Sequence, residues 1–202
     1  MKRYIFNIKL LTENEYKKWY DLLSEAKRSR IDKLRFDDDK KRSVVGEMLV
    51  KKAVSEHCGI DAEKIIIATQ ENGKPYPVDI DIHFNISHCE DYVVCVVNNA
   101  PIGIDIEKIR PVNMKIAKRF FTEQEQKYVF GFTPDEEAFE KEADNETLER
   151  FFKVWTAKEA YLKYTGEGIC ADLKQVAVLE KNTITEIYNE YVITTYTENK
   201  LF

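Results

Sequence analysis

The sequence predicts an α+β protein in two halves, and three observations carry that prediction. Segments that read as strands and segments that read as helices occur both before and after a join near Asn98-Asn99-Ala100-Pro101. A composition 44% hydrophobic, with 11 Tyr, 11 Phe and 2 Trp, supplies a core and excludes a disordered chain. Only 7 Gly and 5 Pro among 202 residues leave little for long flexible linkers.

Taken in order, residues 4–10 alternate as a strand does. Thr12 is the expected N-cap of a helix over 13–27, with Trp19, Leu22 and Leu23 on its apolar stripe. Asp37-Asp38-Asp39 brings negative charge to the start of a second helix that buries Val44, Val45, Met48, Leu49 and Ala53. A short strand is expected at 65–69, then a turn at Asn72-Gly73-Lys74-Pro75, where Asn-Gly tolerates positive φ and proline cannot continue a helix. Strands follow at 83–87, 92–97 and 102–107, and helices at 114–120, 123–130 and 147–164. The β-branched and aromatic content of 176–180, 183–188 and 191–196 predicts three more strands.

The longest apolar run, 92–97, is far shorter than the roughly 20 residues needed to cross a bilayer. Met1-Lys2-Arg3 leads into a segment with polar interruptions rather than a signal peptide, so a cytoplasmic address is expected, with no membrane partner. Cys58, Cys89, Cys95 and Cys170 have no CxxC spacing, and His57, His83 and His88 no HExxH arrangement, which argues against a zinc site or a disulfide framework. Net charge is −5, unevenly spread: residues 1–52 hold 15 Lys/Arg against 9 Asp/Glu, while the remainder holds 16 against 27. That asymmetry suits a small phosphorylated ligand or an acidic protein better than nucleic acid. Between residues 135 and 149, eight acidic residues and one Lys read as a solvated loop or helix face.

Four constellations could carry chemistry. In a strand over 102–107, period two puts Asp105 and Glu107 on one face, where two carboxylates could share Mg²⁺ or Mn²⁺ or merely form a wet acidic edge. In the helix around Trp155, Glu159 and Lys163 stand one turn apart beside an aromatic stripe, either completing such a site or forming a surface pair. Ser87 and His88 end a strand, where they could contact phosphate or cap the chain; as strand neighbours they face opposite ways and make no hydrolase dyad. Lys27, Arg28, Arg30 and Lys33 with Lys40-Lys41-Arg42 are either phosphate ligands or a solvated helix face.

Together, Gly73-Lys74-Pro75, Phe84-Asn85-Ile86-Ser87-His88, Gly103-Ile104-Asp105-Ile106-Glu107, Arg119-Phe120-Phe121-Thr122-x-x-Glu125 and Trp155-Thr156-x-Lys158-Glu159-Ala160-x-x-Lys163 stand in the order and spacing of one family. From about Ser24 to Gly168 the chain resembles a 4′-phosphopantetheinyl transferase of the surfactin-synthetase-activating (Sfp-type) class. The resemblance implies two similar α+β halves related by pseudo-twofold symmetry, with coenzyme A and Mg²⁺ in the cleft between them. Residues 1–101 would carry the basic coenzyme A-binding side chains, and 102–202 the metal ligands and catalytic helix. The implied reaction moves phosphopantetheine from coenzyme A to a serine of an apo acyl or peptidyl carrier protein of a nonribosomal peptide, polyketide or fatty-acid synthase, releasing 3′,5′-ADP.

By this resemblance Asp105, Glu107 and Glu159 would hold the metal, and Lys163 would stand against the pyrophosphate. Glu125, or Glu159 through a metal-bound water, would be the base. Lys27, Arg30, Arg42 and His88 would meet the 3′-phosphate, Lys74 and Pro75 would border the adenine, and Ser87 would contact phosphate. Residues 114–121 would form part of the carrier's docking surface, and the protein would be a monomer. A catalytically silent carrier-protein or coenzyme A-binding module would be expected to lose an acidic ligand, and all three are present. Another Mg²⁺-dependent phosphoryl enzyme would be expected to show a GxxxxGKS or GxGxxG loop, and neither occurs.

Overall fold

A computed structural model describes residues 1–71, 73–166 and 173–199; Asn72, Gly168 and Cys170 lie outside the described residues. The chain divides into two units, Met1–Ile102 and Gly103–Phe202, each with its own sheet.

The first unit contains β1 (Lys2–Asn7), α1 (Glu13–Asp21), α2 (Glu25–Asp32), α3 (Asp37–Cys58), β2 (Ile67–Thr69), β3 (Pro75–Pro77), β4 (His83–Cys89) and β5 (Tyr92–Asn98). β1, β5 and β4 pair antiparallel in that order, with Tyr4 opposite Cys95 and Cys95 opposite Ile86. The α3 helix packs Val45, Leu49 and Ala53 onto Phe84, Val93, Cys95 and Val97 of the sheet. Each aliphatic side chain so buried is worth about 1.5–3 kcal/mol.

Among the boundaries that differ from expectation, three have a clear local reason. β1 stops at Asn7, whose side-chain oxygen accepts the Lys9 N–H and winds Ile8–Leu10 into a 3-10 turn. The helix expected over 13–27 is two helices: Thr12 opens α1 in a capping box with Glu15, but Ser24 then accepts the Lys27 N–H and starts α2. The strand expected from 65 begins at Ile67, because Asp61 caps a 3-10 turn at Ala62–Lys64. Gly73, at φ +87°, makes the turn that returns β2 to β3.

The second unit contains β6 (Gly103–Lys108), α4 (Lys115–Phe120), α5 (Glu123–Phe130), α6 (Asn145–Thr165), β7 (Thr183–Tyr188) and β8 (Tyr191–Tyr196). β6, β8 and β7 pair antiparallel in that order, with Asp105 opposite Thr194 and Thr194 opposite Thr185. The plan of the first unit therefore recurs: a strand, two short helices, a long helix, then a hairpin whose second strand lies in the middle of the sheet. The α+β expectation is met in both halves. The core of this unit is aromatic, with Phe121, Phe151 and Phe152 buried and the rings of Phe151 and Trp155 stacked at 6.2 Å.

Residues 176–180 are not a strand. The Lys158 ammonium, fully buried, donates to the carbonyls of Leu173 and Val176, while Glu125 accepts the Val178 N–H. These backbone groups are satisfied by an ion pair rather than by a neighbouring strand. The acidic stretch runs as a largely exposed loop into α6, whose first turn is capped by Asp144.

Candidate functional site

In the second unit, β6 aims alternate residues at α6. Gly103 is the point of closest approach: a Cβ there would lie 1.9 Å from the Ala160 carbonyl oxygen and 2.8 Å from the Tyr164 nitrogen. Two residues on, Asp105 faces the same helix, and the Lys163 ammonium donates to its Oδ1 at 2.7 Å. Glu107 follows on that face by strand alternation, and Glu159 stands one helical turn before Lys163. The Glu159 carboxyl is held above the usual carboxylate range, first by burial and then by the negative charge of Asp105, with Lys163 opposing and Glu107 adding to the effect. Asp105, Glu107, Glu159 and Lys163 thus share one electrostatic neighbourhood, built from one strand and one helix.

This donor set fits a hard divalent cation in chemistry: all oxygen, partly dry, and more negative than one ammonium can balance. As the side chains stand, no three His, Cys, Asp or Glu residues among the described residues converge as a ready metal site. The Lys163 ammonium supplies the positive charge at Asp105 instead.

Glu125 sits elsewhere in the same unit. It is fully buried; one oxygen accepts the Val178 N–H, and the other accepts the Thr122 N–H and lies 2.8 Å from the Lys158 ammonium. Its environment is that of a structural pin joining α5, α6 and the 173–178 segment. Sequence reading quoted Lys158 in a motif without giving it this role. It also passed over a hydroxyl chain in which Thr156 donates to the Phe152 carbonyl, and Thr194 lies 2.7 Å from Thr156 and 2.9 Å from Thr185. That chain fastens α6 to the sheet at the level of Asp105.

In the first unit a cleft of about 360 Å³ opens between α3 and the edge strand β4. Lys27, Arg42, Pro75 and His88, all singled out from sequence, line it. Its floor is apolar, from Val50, Phe84 and Ile86, and suits a flat ring. Two acids missed by sequence reading also line it: Glu47 is 3.7 Å from the Lys27 ammonium, and Asp39 pairs with Arg42, which also donates to the Glu90 carbonyl. The i,i+3 spacing of Asp39 and Arg42 was a readable sign of that pair.

Three expected members do not line the cleft. Arg30 is exposed on α2. Ser87 points to the face of β4 opposite His88 and is 7% exposed. Lys74, beside Pro75, is half-buried, and burial pushes its ammonium below the usual lysine range. Of the expected docking residues, Met114 and Phe121 belong to the core, at 2% and 0% exposure.

Comparison with known proteins bears on both sites. The family described as 4′-phosphopantetheinyl transferase superfamily matches residues 101–198, and that described as 4′-phosphopantetheinyl transferase, N-terminal matches residues 11–100. The chain is 39% identical over 152 residues to the 4′-phosphopantetheinyl transferase gsp of Aneurinibacillus migulanus, an alignment covering 75% of this chain and 60% of that relative. It is 34% identical over 180 residues to the 4′-phosphopantetheinyl transferase Sfp of Bacillus subtilis, covering 88% and 76% respectively. With the 4′-phosphopantetheinyl transferase HetI of a Nostoc species the figures are 31% over 163 residues, 77% and 64%. The chain is thus shorter than each of these relatives. No helix among the described residues is long and apolar enough to cross a membrane.

Proposed function

The chain belongs to the 4′-phosphopantetheinyl transferase superfamily, and from that premise we propose that it transfers phosphopantetheine from coenzyme A to a serine of an apo acyl or peptidyl carrier protein. Likeness to relatives such as Sfp and gsp supports placing it in the surfactin-synthetase-activating class, serving nonribosomal peptide, polyketide or fatty-acid synthases. The observation that carries the proposal is the Lys163–Asp105 contact across β6 and α6, with Glu159 in the same field.

In this reading the serine oxygen attacks the phosphorus that bears pantetheine, the bond to the bridging oxygen breaks, and 3′,5′-ADP leaves. Asp105, Glu107 and Glu159 would hold Mg²⁺, or Mn²⁺ in its place, which when bound supplies positive charge to the pyrophosphate. Lys163 would leave Asp105 and set its ammonium against the departing bisphosphate, stabilising charge where it develops. Glu159, half-buried beside Asp105 and Lys163, would serve as proton acceptor for the serine by way of a water molecule, its own oxygens being engaged with the cation. Glu125, enclosed and bonded at both oxygens, is left to the architecture.

In the cleft of the first unit, Lys27, Arg42 and His88 would meet the 3′-phosphate, Val50, Phe84 and Pro75 would enclose the adenine, and Lys74 would border it. Arg30 and Ser87 would act at most from outside that lining. The test is intact mass spectrometry of an apo carrier protein incubated with the protein, coenzyme A and Mg²⁺. A gain of one phosphopantetheine, abolished by EDTA, is expected; an unmodified carrier at high enzyme concentration would refute the proposal.

A further inference from the structure

The α4 helix turns Lys115 and Lys118 outward on one face, at i and i+3, with side chains 59% and 48% exposed. Against that face lies a segment of the chain's own acidic stretch. Glu140 is 3.1 Å from the Lys115 ammonium, and both carboxylate oxygens of Glu136 accept from Lys118. Between the two acids Phe139 turns inward, 5% exposed, its ring edge-on to Phe130 at 5.1 Å. One buried ring therefore seats this loop, and two solvent-exposed ion pairs close it over α4.

The two parts differ greatly in strength. Phe139 is core and stays. Exposed ion pairs are worth about 0–1 kcal/mol each and can be exchanged for other acids with little loss. The location matters as well: Phe120 and Phe121, at the end of α4, lie against Trp155 at 6.1 and 6.5 Å. Trp155 stands one helical turn before Glu159, so whatever binds α4 is held next to the acid site of its own unit.

We propose that the Lys115–Lys118 face of α4 docks an acidic surface of the protein substrate, and that Glu136 and Glu140 cover this face beforehand as an internal competitor which the substrate displaces. The occupant is fixed by charge: the chain itself shows that this face takes two carboxylates, here from residues four apart in sequence. The proposal rests on the transferase reading for the identity of the partner, an acidic carrier domain. The face lies within residues 114–121, the stretch expected to form part of the docking surface, and the new element is the acidic cover over its two lysines.

The test uses the full chain with purified apo acyl carrier protein as probe. Replacing both acids (Glu136→Gln with Glu140→Gln) should lower the carrier KM by roughly 3- to 10-fold, the range two exposed pairs can supply, with kcat unchanged. Removing the lysines (Lys115→Ala with Lys118→Ala) should raise that KM, and adding the two glutamine substitutions to this variant should then change nothing further. A carrier KM that stays level or rises in the glutamine variant, in a protein that melts normally, overturns the proposal. Should the wild type modify no carrier, the transferase reading fails by itself. The docking idea is then decided by fluorescence anisotropy of the labelled apo carrier, which must bind the glutamine variant more tightly than the wild type.

Discussion

Replacing Gly103 with alanine is the sharpest test of how the acid site is assembled. The added Cβ would sit 1.9 Å from the Ala160 carbonyl oxygen, and ordinary contact begins at 3.4 Å. The obstacle is helix backbone, which no rotamer can move, so β6 and α6 must part by about 1.5 Å. Overpacking of this kind costs about 1–3 kcal/mol, and rigid obstruction favours the upper end. For a chain of this size each kcal/mol lowers the melting temperature by roughly 2–4 °C. The same separation would stretch the Lys163–Asp105 contact from 2.7 Å beyond hydrogen-bonding range. A misplacement near 1 Å typically costs about 100-fold in rate. Thermal melting and the rate of carrier modification, followed by intact mass, read both effects. Gly46→Ala is the control for melting alone, because its Cβ would meet only the tip of Ile86, at 2.9 Å, which can swing aside; both residues line the first unit's cleft, so its rate is not compared. A Gly103→Ala protein with wild-type melting and wild-type rate would refute the close-packing argument and the site geometry built on it.

Three further outcomes are expected. Asp105→Ala, Glu107→Ala and Glu159→Ala should each nearly abolish transfer in folded protein, and Lys163→Ala should lower kcat more than it raises KM; normal kcat in the last would remove Lys163 from the chemistry. Breaking the buried pair with Lys158→Ala should cost about 3–5 kcal/mol in urea unfolding, since Glu125 is left charged and enclosed, whereas Lys158→Met with Glu125→Leu should recover part of that loss. Glu56, whose carboxyl is drawn down to about 2 by Lys2, Lys52 and the Tyr4 hydroxyl, ties β1 to α3. Its folded pKa lies below the unfolded value, so its stabilisation is present above about pH 4.5 and is lost as pH falls through about 2. Glu56→Gln should accordingly melt below wild type at pH 7 in low salt, with the gap narrowing in strong acid and in high salt.

Much of this molecule was legible because its elements carry strong local signals. Period-two alternation placed Asp105 and Glu107 on one face of β6, and α5 has the bounds expected of it. The hairpin of β7 and β8 likewise matches its aromatic and β-branched pattern. What escaped depends on contacts between distant residues. Residues 176–180 have strand composition, yet Lys158 and Glu125 take their backbone groups, and nothing in a local window reveals a buried cation. Ser24 fell inside the single helix expected over 13–27, although its hydroxyl competes for the backbone and opens a second helix. The opposite facing of Ser87 and His88 was read from strand alternation, and it is what leaves Ser87 outside the cleft lining. The Asp39–Arg42 pair could be read from its i,i+3 spacing, whereas Glu47 reaches Lys27 from another helix, a contact that no local window shows.

The recurrence of one plan in both units means that equivalent positions can be filled to different ends. The first strand of each sheet offers its long helix three alternate side chains. In one copy these are Gly103, Asp105 and Glu107, and in the other Lys2, Tyr4 and Phe6. One copy has invested that seam in negative charge, while the other has sealed it with rings and opened its basic pocket on the far flank of the helix. A tandem repeat of this sort lets two incompatible environments, one acidic and one basic, mature on one backbone plan within a single polypeptide.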